Sequence, residues 1–135
     1  MSKGHERYQQ RQRAVSFFGK DLTRRSHAKC ELCAAAGEPL SVFEMPPLSP
    51  EPDFDHCLFV CPTCMKVLQG APIVQPERWR CLNNSVWNET PAIQAAAVMI
   101  LRRLESEHPW AGELLEQVFL NDDAQAIVDD ALHWT

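Results

Sequence analysis

Cys30-Glu31-Leu32-Cys33 and Cys61-Pro62-Thr63-Cys64 are two Cys-x-x-Cys pairs with 27 residues between them. A two-residue gap lets both sulfurs of a tight turn point at one ion. Four thiolates then give tetrahedral coordination with no position left for a substrate. Soft sulfur ligands favour zinc, with iron as the alternative. The spacing predicts one structural Zn2+ held by Cys30, Cys33, Cys61 and Cys64. The rival reading is a thioredoxin-like dithiol at Cys61-Pro62-Thr63-Cys64, but no βαβ pattern surrounds it and the other pair would be left without a role.

Outward from the cysteines the signals alternate. Leu40-Ser41-Val42-Phe43-Glu44-Met45 reads as a strand stopped by Pro46-Pro47, which cannot continue a ladder. Cys57-Leu58-Phe59-Val60 reads as its partner, and Met65-Lys66-Val67-Leu68 starts a short helix. Before the first pair, residues 8–26 carry Val15, Phe18 and Leu22 at helical spacing, interrupted by Gly19. Residues 76–89 are aromatic-rich and short-helical or irregular. Thr90 then stands as N-cap with Pro91 in the first turn. Ile93, Ala96, Ala97, Ile100, Leu101 and Leu104 line one helical face, with Pro109 as the stop. Trp110, Leu114, Leu115, Val118 and Phe119 suggest a further helix. Asp122 or Asp123 is expected to cap a third, carrying Ile127, Val128 and Leu132.

The expected fold class is α+β, mostly α: a small zinc-ribbon or treble-clef-like β-hairpin module packed with several helices. Three segments are expected within one compact domain: a basic helical arm at 1–29, the zinc module at 30–89, and acidic helices at 90–135 packed on the ribbon.

Charge divides the same way. The chain of 135 residues has a net charge of −5, yet residues 1–30 hold eight basic side chains against Glu6 and Asp21. That segment is +6, which leaves −11 for the rest. A basic arm made of Arg11, Arg13, Lys20, Arg24, Arg25 and Lys29 suits nucleic-acid phosphate; its plainer reading is a solvated face. A protein partner anchored on Trp79, Trp87 or Trp110 is the other interaction expected, against simple core packing for each tryptophan. The first twenty residues are broken by charges and no window approaches a membrane span, so a cytoplasmic setting without membrane contact is expected. In such a compartment paired cysteines point to metal rather than disulfide.

Cys57 and Cys81 are expected to be buried structural thiols. His27 and His56 lie near the pairs in sequence and are expected outside the primary ligand set. His108 is expected at a helix C-terminus, and His5 and His133 on the surface. No Gly-x-Ser-x-Gly, phosphate-cradling Gly-rich loop or His-Glu-x-x-His occurs. The catalytic set is therefore read as empty.

The order knuckle, hairpin, knuckle, helix also resembles HNH-type nucleases, whose first strand would read Val-His-His-apolar-Pro. Here it is Val42-Phe43-Glu44-Met45-Pro46, and Met65 follows the last cysteine. The base and the metal-binding imidazole are missing, which leaves Glu44 alone to hold a divalent ion.

Lys29 to Cys33, Leu40 to Pro47, Val60 to Cys64, Trp79-Arg80-Cys81-Leu82-Asn83-Asn84-Ser85-Val86-Trp87 and Pro91-Ala92-Ile93-Gln94 together resemble the N-terminal zinc-ribbon region of PhnA-like proteins, over roughly residues 14–130. The resemblance implies the same four zinc-ligand cysteines. The family takes its name from alkylphosphonate-utilisation operons, and its members usually continue into a small β-rich domain that this sequence does not contain. The function expected is a non-catalytic zinc-binding module contacting protein or nucleic acid. The alternatives are an enzyme or accessory protein of phosphonate metabolism, and a thiol-based redox or zinc-responsive regulator.

Overall fold

The computed structural model describes residues 3–45 and 51–134 of the chain. Pro46-Pro47, and the side chains of His5, Leu132 and His133, lie outside what is described.

The fold is α+β and mostly helical. In chain order it comprises α1 (Lys3–Ser16), α2 (Gly19–Ser26), β1 (Ser41–Glu44), β2 (Cys57–Val60), α3 (Pro62–Leu68), α4 (Leu82–Ser85), α5 (Pro91–Leu104), α6 (Pro109–Gln117) and α7 (Asp122–Trp134). Two 3-10 turns, Phe54–His56 and Pro76–Cys81, precede β2 and α4.

The helix expected over 8–26 is two helices. The chain tightens at Phe17 and Phe18, whose N–H groups donate to Ala14 and Val15, three residues back. Val15 and Leu22 turn inward, while Phe17 is left 82% exposed. α2 ends in two successive left-handed residues, His27 and Ala28 (φ 57° and 59°). The N–H of Ala28 returns to the Thr23 carbonyl, closing the helix end.

β1 and β2 pair antiparallel, with Ser41 opposite Val60 and Glu44 opposite Cys57. Cys57, Leu58 and Val60 are buried, so the short strand is covered on both faces. α5 is the centre of the molecule. It packs against α7, α6, α4, β2 and α3. The six-residue stripe predicted for it is buried, but so are Ala92, Gln94, Ala95 and Val98. Periodicity alone points to one covered face; alanines let neighbours approach on the other.

The helix boundaries correct several expectations. Thr90 occupies the N-cap position of α5 without a side-chain cap bond. α5 ends at Leu104, where the N–H of His108 closes it on the Leu104 carbonyl at 2.9 Å. Pro109 therefore opens α6 rather than stopping α5. Asn121, not Asp122 or Asp123, caps α7: its Oδ1 accepts from the Ala124 N–H at 2.7 Å. Phe119 lies beyond α6 and is 89% exposed. Arg103, off the buried stripe of α5, donates to the Val67 and Ala71 carbonyls and so satisfies the C-terminal end of α3.

Candidate metal centre

Each pair of cysteines sits in a turn that aims its sulfurs inward. In the first, the N–H of Cys30 donates to the Ala35 carbonyl at 3.0 Å and the N–H of Ala34 donates to the Cys30 carbonyl at 2.8 Å. Ala34 takes a left-handed conformation (φ 64°) to close it, and Lys29 bridges Ala36. In the second, Cys61 stands at the N-cap of α3 with Pro62 in the first turn. The helix begins three residues earlier than Met65, which places Cys64 on its first turn.

The four Sγ atoms of Cys30, Cys33, Cys61 and Cys64 all lie within 4.8 Å of one another. Cys33 and Cys61 are 3.7 Å apart. Tetrahedral coordination at about 2.3 Å from each sulfur requires sulfurs about 3.8 Å apart. Cys30, Cys61 and Cys64 are buried and Cys33 is half-buried. Neither His27 nor His56 belongs to the group.

Four thiols this close cannot all ionise by themselves. Hydrogen bonds from Cys33 and Cys64 hold Cys30 far below the ordinary thiol range. Sharing a proton with Cys30 pushes Cys33 up to about 12, and hydrogen bonding to Cys30 and Cys33 raises Cys64 further. A divalent cation at the centre would take all four as thiolates.

The residues around the cluster were not legible from spacing. The Arg78 guanidinium, carried by the 3-10 turn Pro76–Cys81, reaches back over the cysteines. Its Nη2 lies 3.5 Å from the Cys33 sulfur and 3.6 Å from that of Cys61. Burial lowers the Arg78 pKa, but the charges of Cys33, Cys64 and Cys61 outweigh it and leave the guanidinium above its ordinary value. Glu31, between Cys30 and Cys33, is the other residue missed. Its side chain is 3% exposed and takes a two-pronged ion pair from Arg25 at 2.7 and 2.8 Å. Arg25 also donates to the Cys57 carbonyl and lies 5.0 Å over the Phe54 ring.

The basic arm is thereby sorted. Arg25 is held by Glu31, and Arg11 clasps Glu44 with bonds of 2.6 and 2.9 Å. Glu44 is thus engaged by a guanidinium rather than open to a divalent ion. Arg13, Lys20, Arg24 and Lys29 are exposed. Of the tryptophans, Trp79 is buried in the core, Trp87 is half-exposed, and Trp110 is partly buried under the Arg80 guanidinium. Cys57 is buried as expected, and Cys81 half-buried. No helix among the described residues is long and apolar enough to cross a membrane. Comparison with protein-family models, with curated proteins and with solved structures gives no match for this chain.

Proposed function

We propose that Cys30, Cys33, Cys61 and Cys64 hold one structural zinc ion and that the protein is a non-catalytic interaction module built around it. The observation that carries this reading is the gathering of four sulfurs within 4.8 Å of one another, from two turns that flank one hairpin. Four protein ligands fill a tetrahedral ion and leave no position for substrate or water. The resemblance to PhnA-like proteins supports the same ligand set. Bound metal and free thiols are to be counted on protein purified without added metal. One zinc per chain, with four thiols released by chelator, is expected. Absence of metal, or a second tightly held ion, sinks the reading.

A nucleic-acid partner is favoured by one specific feature. Arg13 on α1, Phe17 in the break after it, and Lys20 and Arg24 on α2 are all exposed. None of the three cations forms an ion pair among the described residues. Exposed cations close in sequence to a bare aromatic ring suit a phosphate backbone with one stacked base. Three phosphate contacts give a slope of log K against log salt of about −2 to −3. Binding to a fluorescent single-stranded oligonucleotide, measured against salt and with Phe17→Ala, tests this. A salt-independent result removes the nucleic-acid reading and leaves a protein partner.

A further inference from the structure

Arg78 is an unusual cation. Its Nε is buried without a hydrogen-bond partner. No carboxylate of the described residues forms an ion pair with it. The acceptors it does reach are the sulfurs of Cys33 and Cys61. A guanidinium drawn partly out of water is costly unless its surroundings carry compensating charge. Neutral thiols are weak acceptors; thiolates bound to a divalent ion are strong ones.

The backbone holds it there. The Arg78 N–H donates to the Gln75 carbonyl at 3.0 Å, and the next residue, Trp79, is 1% exposed in the core. With Trp79 sunk on one side of the turn, the neighbouring side chain is laid across the cysteines.

We propose that Arg78 is a positioning and charge-compensating residue of the metal centre, donating to the Cys33 and Cys61 thiolates. This rests on the reading that the four cysteines bind a divalent ion. Four thiolates on such an ion leave two negative charges, and Arg78 offsets one. N–H donation withdraws electron density from the sulfurs. It thereby favours the charged, metal-bound arrangement and makes Cys33, the ligand most open to solvent, a poorer nucleophile toward electrophiles.

The test compares wild-type protein with Arg78→Met and Arg78→Lys. Three quantities are read: zinc affinity against a chromophoric chelator, the absorption spectrum of the cobalt(II)-substituted protein, and the rate of iodoacetamide alkylation of the zinc-loaded protein. Arg78→Met is expected to lose roughly 10–100-fold in zinc affinity. Its sulfur-to-cobalt charge-transfer bands should move to lower energy, its tetrahedral ligand-field bands should stay in place, and its alkylation should quicken. Arg78→Lys, with charge but no planar fork, should fall between. If Arg78→Met does not fold, Arg78→Gln carries the same three comparisons. Wild-type affinity, band positions and alkylation rate in the charge-free variant overturn the role of Arg78 and leave the metal reading intact. Wild-type protein that takes up neither zinc nor cobalt removes the metal reading itself, and this role with it.

Discussion

Glu31 and Phe59 exchange two hydrogen bonds: the Glu31 N–H donates to the Phe59 carbonyl at 2.9 Å, and the Glu31 carboxylate accepts the Phe59 N–H at 2.8 Å. A side chain thus stands where the next rung of a β-ladder would be. It ties the first cysteine turn to the strand that leads into the second, independently of any ion.

Breaking this tie is expected to destabilise the protein. Glu31→Ala leaves Arg25 without its carboxylate and the Phe59 N–H without an acceptor. Glu31 is buried but Arg25 keeps 21% of its side chain exposed, so the loss is expected at roughly 1–3 kcal/mol, the cost of unmade bonds to a charged group. Urea denaturation of the metal-loaded protein reads the loss, and the Glu31→Ala, Arg25→Met double variant should lose less than the two single losses added together.

The tryptophans separate core from surface. Trp79 is 1% exposed and Trp87 49%. Trp79→Ala is expected to cost roughly 3–5 kcal/mol, whereas Trp87→Ala should cost under about 1 kcal/mol. Equal effects in thermal unfolding would contradict this arrangement.

Gln94 is a polar side chain at the heart of α5, 5% exposed. Its amide donates to the carbonyls of Val86 at 2.9 Å and Phe119 at 3.4 Å, and accepts from the Asn121 N–H at 3.3 Å. It stitches the approach to α5 to the loop between α6 and α7. Gln94→Leu strips a partner from the buried Val86 carbonyl and should cost about 1–3 kcal/mol in chemical denaturation.

Cys57 yields a pH prediction. Burial pushes its thiol up to about 12 from an ordinary value of 9.0. The folded state keeps the proton that the unfolded chain releases, so its contribution is whole below the unfolded value. It is lost as pH rises from about 9 to about 12, at up to about 1.4 kcal/mol per pH unit. Cys57→Ala should therefore show a shallower alkaline loss of stability than wild type. Identical alkaline limbs would contradict the buried neutral thiol.

What the sequence makes legible follows from what is local. The cysteine pairs, β2 and the buried stripe of α5 are written in short-range spacing, and they stand where the spacing puts them. The break at Phe17–Phe18 is not, because both halves share a helical period and only packing decides that Val15 and Leu22 turn inward. The Asn121 cap was missed beside two aspartates with equal local claims. Arg78 and the Arg25–Glu31 pair have no signal at all in periodicity. Arg78 meets Cys33 from 45 residues away, and nothing near it in sequence marks it apart from any exposed arginine.

The apolar cluster that includes Cys30, Cys61 and Cys64 is completed by Trp79, Leu82, Val86 and α5. The shelter of the thiols is therefore encoded after the thiols themselves. On a ribosome adding about 5–20 residues per second, the 40 residues from Cys64 to Leu104 take about 2–8 s. Through that interval a nascent chain carries all four sulfurs without their cover, so oxidation would compete with the proposed metal capture before the fold can protect either outcome.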